Sequence, residues 1–367
     1  MRIAALANSS MGSEATLKTV EKELKFILNV LNPFMLNNEV SEQEFSRLDE
    51  QKLIQILNRN KIFGKFSKKL DSQPNFAQRF LSVYPALNRL NEELKSRQKN
   101  ELDEFIKVSK RLAAQGVTLL LIKSAGEFPH ESSNFDCLIK PEKLATCNRI
   151  LRGEGYRERS IAREPHKFLY RKIADPKNLP LHIHTRVEWE AGEFATAKTL
   201  IRRARPFVNE DTDALVPSVE DSILITIAHY FFEDHEIKLY DLLKVFALSR
   251  ECNPDWNYML NETVGLGWSD AFALNLRLLN WMSVCWFGKK TFPELEKLKA
   301  SRQDKLALKT IKFDSLGMIN IPYGVSALFF LKKVFRNSSF SFYQKTQHVD
   351  YVFSDILRRR IIGYLEI

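Results

Sequence analysis

Residues 117–122 read VTLLLI, a continuous apolar and partly β-branched run bounded by Gly116 and Lys123. Such a run fits a buried central strand better than a half-exposed one, which would alternate. Before it, 99–114 places Leu102, Phe105, Ile106, Leu112 and Ala113 on one helical stripe, and Gly116 is suited to the left-handed position that closes a helix. After a polar loop, 135–139 (FDCLI) is a second short strand. Pro141 opens another helix, at a position where its missing N–H costs nothing, and that helix ends near Gly153 and Gly155. Two more strands follow at 166–172 (HKFLYRK) and 181–189 (LHIHTRVEW), joined by the turn residues of ADPKNLP. The order predicts a mixed α/β core over residues 99–205, with helices on one face of the sheet.

Helical patterns flank this core. In residues 1–98, Leu17, Val20, Leu24, Ile27, Leu28 and Leu31 recur three and four apart until Pro33, and 45–57 and 76–94 repeat the habit. In residues 206–367, Ser218 and Asp221 form a capping box ahead of Ile223, Leu224, Ile227, Ala228 and Phe231, and a partner helix is expected over 237–250. The fold class is therefore α+β: a mixed sheet with helices between N-terminal and C-terminal helical regions. The hydrophobic fraction of 44% is close to that of ordinary globular chains, and no run is poor enough in apolar residues to be expected as disordered. The longest apolar run near the middle, 278–287, is too short to span a membrane, and no secretory signal is expected. Cys137, Cys147, Cys252 and Cys285 show no CxxC spacing and suit a reducing cytoplasm.

The net charge is +10, and eleven basic against five acidic residues lie from Ser301 onward, so more than half of the excess belongs to the last segment. A bias of this kind favours polyanionic partners through long-range attraction. No Walker loop, GxGxxG after a strand, HExxH or GxSxG is present, which removes P-loop, dinucleotide-binding, zincin and serine-hydrolase chemistry.

The polar residues of interest lie in the core. Strand alternation puts Asn134 and Asp136 on one face of the second strand, and His182 and His184 on one face of the last. If those strands are neighbours the side chains converge, as a phosphoryl-transfer site holding Mg²⁺ requires. Two imidazoles and a carboxylate, with His166 nearby, also suit a softer ion such as Zn²⁺. Lys123 and Ser124, at the end of the first strand, are placed to meet a phosphate. Glu188 and Glu190 lie pleats away from the set, and His229 and His235 are expected as packing or capping groups.

The succession LLLIKSAGEF, SNFDCLIKPEKL, HKFLY, LPLHIHTRVEW and PSVEDSILITIAHYFFEDHEIKLYDLLKVFAL resembles the uncharacterised nucleotidyltransferases, a branch of the polymerase-beta-like superfamily. The resemblance spans roughly 102–249. It implies a Lys-Gly pair after the first strand, here Lys123 and Ser124, and an Asp-x-Asp motif, here Asn134 and Asp136. It also implies an acidic residue two positions before a histidine, here His182 before His184, and a downstream helix pair carrying His229, Tyr240 and Asp241. Catalytic positions are thus Asn134, Asp136 and His182, nucleotide-binding positions Lys123 and Ser124, and metal positions Asp136, His182 and His184. Of the three carboxylates the family implies, only Asp136 is acidic. The function expected is binding of a nucleotide or other phosphorylated small molecule with a divalent metal, Mg²⁺ or else Zn²⁺, with nucleotidyl transfer to an acceptor either retained or lost. The alternative is a non-catalytic module that uses the basic C-terminal surface, with Arg358, Arg359 and Arg360, to bind a polyanion or protein partner.

Overall fold

The computed structural model describes residues 22–32, 45–123, 134–160, 166–174, 179–189, 192–207, 212–290, 307–308, 310–314 and 316–336. In the N-terminal region, helices α1 (Lys22–Val30), α2 (Glu50–Arg59), α3 (Phe63–Asp71) and α4 (Pro74–Val83) lead into α5 (Pro85–Ala113). Pro85 occupies the first turn of α5, and Tyr84 before it is non-helical at φ −122° and ψ 76°, since a residue preceding proline is kept out of the helical region. The stretch 76–94, expected as one helix, is therefore two. The 29 residues of α5 run without interruption through positions 98 and 99. Its first half buries Leu87 and Leu94 with α1–α4, and its second half buries Phe105, Val108 and Leu112 against the sheet.

The core contains strands β1 (Leu120–Leu121), β2 (Phe135–Leu138), β3 (Tyr156–Ser160), β4 (Lys167–Lys172), β5 (Leu181–His184), β6 (Val187–Trp189), β7 (Gly192–Ala195), β8 (Arg205–Pro206) and β9 (Leu215–Val216), with helices α6 (Leu144–Gly153) and α7 (Ala197–Arg203). Seven strands form a mixed sheet in the order β3-β4-β5-β2-β1-β9-β8. Two pairings are parallel, β2 with β5 and β1 with β9. Several features depart from the sequence expectation: α7, β7, β8 and β9 are additional elements, and β9, from the region expected as helical, joins the main sheet beside β1. β3 is an additional edge strand, antiparallel to β4. The stretch 181–189 is not one strand: it breaks at Thr185 and Arg186, and β6 leaves the main sheet to pair with β7.

Alternation along the strands divides the buried side chains. Leu119, Leu121, Phe135, Cys137, Leu181 and Ile183 pack with the end of α5 and with Cys147 and Leu151 of α6. Leu120, Ile122 and Leu138 join a separate core shared with the C-terminal helices. Helices α5 and α6 lie on one face, while Leu200 of α7 joins the second core and the opposite face packs with helices from the C-terminal region, so the core's helices are not confined to one face as expected. That second face is the one carrying Asp136, His182 and His184.

The C-terminal region begins with α8 (Val219–His229), whose cap Ser218 accepts from the Asp221 amide. A π-helical turn, Tyr230–Asp234, continues it, followed by α9 (Leu239–Glu251), α10 (Trp256–Gly265) and α11 (Ser269–Phe287), and further along by α12 (Tyr323–Arg336). The region is not purely helical: Glu236–Ile237, Ile319–Asn320 and Lys312–Phe313 form a small three-stranded sheet. Among the described residues, no helix is long and apolar enough to cross a membrane.

Candidate functional site

The parallel pairing of β2 with β5 sets Asp136 opposite His182 and Leu138 opposite His184. Since alternate residues share a face, the carboxylate and both imidazoles project together toward the C-terminal helices. His184 Nε2 donates to Asp136 Oδ1 at 2.9 Å, and His182 Nδ1 lies 3.1 Å from the same oxygen. Asn134 Nδ2 is 3.1 Å from His182 Nδ1 and 3.5 Å from Asp136 Oδ1. On the other side of the carboxylate, Lys123 Nζ stands 3.7 Å from Oδ2. The positions singled out from the sequence at 123, 134, 136, 182 and 184 thus meet in one place. Ser124 and Glu190 lie outside the described residues, as do Arg358, Arg359 and Arg360.

The remaining candidates sit elsewhere. His166 Nε2 is 3.2 Å from the Glu188 carbonyl oxygen, and its Nδ1 is 3.9 Å from the Glu188 carboxylate, so these two engage each other rather than Asp136. His235 has a left-handed φ of 54° after the π-turn, and its Nδ1 is 2.9 Å from Ser326 Oγ. Tyr240 is buried, and Asp241 Oδ2 accepts from the Lys238 amide as part of the α9 cap. In the C-terminal region, Lys332 and Arg336 both pair with Asp270.

Sequence reasoning missed a second group at this site. Glu233, on the π-turn, brings Oε2 to 4.0 Å from Lys123 Nζ and 3.5 Å from His229 Nε2, and Oε1 to 3.7 Å from Lys167 Nζ. Lys167 lies on β4 next to His184 in register and is almost fully buried. Its signal in the sequence was weak: it is one of several basic residues in the run HKFLYRK. Glu233 had none, because its position depends on the π-turn.

Charge and burial define what the site can do. Burial pushes the Asp136 carboxyl upward, but Lys123 and the two imidazoles outweigh it and hold the group well below the usual carboxylate range. Burial lowers His184 to about 4 against the pull of Asp136, and it lowers His229 to about 4 with Lys123 adding to the effect. Both rings are therefore neutral at pH 7, the form that binds metals and donates single hydrogen bonds.

Each ring titrates near 4 when folded, below an ordinary value of 6.5, so the unfolded chain takes up the proton first. Their contribution is fully present above about pH 6.5 and is lost as pH falls from there toward 4, by up to about 3 kcal/mol per group. Urea midpoints measured between pH 7.5 and 4.5 should fall, and His229→Gln should flatten part of that slope. A slope identical in the variant would mean that His229 is not held neutral in the fold.

One carboxylate with two imidazoles does not fit a pair of Mg²⁺ ions, which prefer several charged oxygens. An ammonium only 3.7 Å from Asp136 makes the fit worse. The same set does fit one ion with the ligand preference of zinc. Asp136, His182 and His184 each offer a ligand atom, and the three atoms lie within 4.8 Å of one another. His182 Nε2 is buried without a hydrogen-bond partner among the described residues, an unsatisfied state that a bound ion or ligand group relieves.

A mixed sheet whose adjacent parallel strands present polar side chains from Asn134, Asp136, His182 and His184 beside a strand-terminal lysine places the molecule in the nucleotidyltransferase-like class. The model of the family described as uncharacterised nucleotidyltransferase matches residues 46–283, more than half of the chain, and the protein belongs to that family. No curated protein and no solved structure matches it.

Proposed function

We propose that this nucleotidyltransferase-like protein binds a nucleotide through its phosphates at the face where β1, β2, β4 and β5 meet the Tyr230–Asp234 turn, with one zinc-class ion on Asp136, His182 and His184. The observation that carries the reading is the convergence of those three donors beside Lys123. Lys123 and Lys167 supply fixed positive charge for phosphate oxygens, and both are largely buried, so little side-chain entropy remains to be lost on binding. Neutral His184 has a lone pair available for a metal once its proton moves to the other ring nitrogen. A bound ion of this class acts as a Lewis acid on a phosphoryl oxygen. The donor set disfavours transfer by two Mg²⁺ ions.

The reading is tested by isothermal titration of metal-stripped protein with Zn²⁺, then with ATP, against parallel titrations in millimolar Mg²⁺. One equivalent of Zn²⁺ should bind and survive the Mg²⁺ competition, and ATP should bind the loaded protein with an affinity at least tenfold weaker in Lys123→Gln. Failure of ATP to bind, or an unchanged affinity in Lys123→Gln, would remove the proposal.

A further inference from the structure

The carboxylate of Glu233 is flanked by two ammonium groups and a neutral imidazole. It lies 3.7 Å from Lys167 Nζ, 4.0 Å from Lys123 Nζ and 3.5 Å from His229 Nε2. Yet Glu233 Oε2 is buried without a hydrogen bond among the described residues. At these distances the carboxylate engages the two ammonium groups and the imidazole by charge rather than by close hydrogen bonds. A tetrahedral phosphate presents more oxygens and up to two charges, and matches two ammonium groups and a neutral imidazole donor better.

The anion and the cations also differ in how they are held. The Lys167 side chain is 2% exposed and that of Lys123 16%, whereas that of Glu233 is 37% exposed. The turn that carries Glu233 is anchored by Tyr230, Phe231 and Phe232, all fully buried, so the glutamate side chain can swing outward while the backbone stays in place. A π-turn of this kind is costly in a regular helix and occurs frequently at functional positions.

We propose that Lys123, Lys167 and His229 form an anion subsite for one phosphate group of the ligand, and that the Glu233 carboxylate occupies this subsite until the phosphate displaces it. The inference rests on the phosphate-binding reading above and deepens it by naming the subsite and its internal competitor. Burial alone would raise the Glu233 carboxyl, but Lys123, His229 and Lys167 hold it below its ordinary value, as expected of an anion that stands in for a more highly charged one. Displacement replaces one internal ion pairing with a stronger external one and requires no bond to be made or broken. It also links ligand entry to the C-terminal region, since Glu233 and His229 both come from there and the lysines from the sheet.

Isothermal titration with inorganic pyrophosphate as the probe, at fixed ionic strength, separates the possibilities. If Glu233 fills the subsite about nine-tenths of the time, Glu233→Gln binds pyrophosphate about tenfold more tightly than wild type, because the apparent affinity scales with the competent fraction. Lys167→Gln should bind at least tenfold more weakly than wild type, and adding it to Glu233→Gln should abolish the gain. Glu233→Ala gives the same comparison should the glutamine variant misfold, with thermal melts establishing which variants are native. Equal or weaker binding by both Glu233 variants would overturn the inference. If ATP binds in a Lys123-dependent way but pyrophosphate binding ignores Glu233 and Lys167, the subsite falls and the nucleotide reading stands. If neither ATP nor pyrophosphate binds any variant, both fall together.

Discussion

Asp136→Asn should lower stability by about 3 kcal/mol at pH 7 and weaken zinc binding by at least 100-fold. The carboxylate is 5% exposed, accepts from His184 and lies within 3.7 Å of the Lys123 ammonium. Asparagine keeps the shape and an oxygen for His184, so what is lost is the charge. Removing one partner of a buried pair leaves the other uncompensated, which costs roughly 3–5 kcal/mol for a fully buried pair. Lys123 retains some solvent and has Glu233 as a second anion, which places the expected value at the lower end. Zinc loses its only anionic ligand in the set. Urea unfolding and competition with a chromophoric chelator measure the two effects separately. A loss below 1 kcal/mol with zinc affinity unchanged would mean that Asp136 neither balances Lys123 nor ligates the ion.

A comparable loss of stability is expected where no site residue is involved. Phe80 is fully buried, and its ring lies 5.4 Å from Phe26, 5.5 Å from Phe45, 5.8 Å from Phe66, 5.6 Å from Phe76 and 5.0 Å from Tyr84. Phe80→Ala removes the ring at the centre of this cluster. The transfer term and the cavity together cost about 3–5 kcal/mol, toward the upper end because ring-ring contacts add to the burial. Chemical denaturation should show the loss, with ATP affinity per folded molecule unchanged. A change below about 1.5 kcal/mol would require the surrounding rings to collapse into the space.

How much of this was legible in the sequence depended on the range of the interactions. The run at 117–122 marks β1 because burial on both faces forbids polar alternation. The His-x-His pattern at 182 and 184 reports a shared face because the strand period is two. What converts those faces into a site is the pairing of β2 with β5, a long-range fact that the residues permit and do not announce. β3 stayed hidden because YRERS carries three charged residues and follows a glycine, as an edge strand tolerates and a turn also would. The expected strand 181–189 kept its alternation through Thr185 and Arg186 even though the backbone turns there, so periodicity alone could not locate the break. The division of 76–94 at Tyr84 was readable from Pro85, whose ring restricts its predecessor.

The second half of the site was illegible for a different reason. Glu233 sits in FFEDHE, where a helical period predicts an exposed acid. The π-turn brings that position beside Lys123 and Lys167 of the sheet, and Phe231 and Phe232 within the turn are fully buried. Lys167 was inside an expected strand, but a lysine in a run that also holds Arg171 and Lys172 is as consistent with an exposed edge as with a buried ion pair. Charges of both signs drawn from separate regions make a site only after the regions have packed.

X-ray absorption at the zinc edge of protein loaded with one equivalent of Zn²⁺ bears most directly on the proposed metal set. Two histidine nitrogens should appear in the coordination shell of wild type, and the imidazole signal should diminish in His182→Gln and in His184→Gln. A shell of oxygen atoms only, or a spectrum that is identical in both variants, would contradict it.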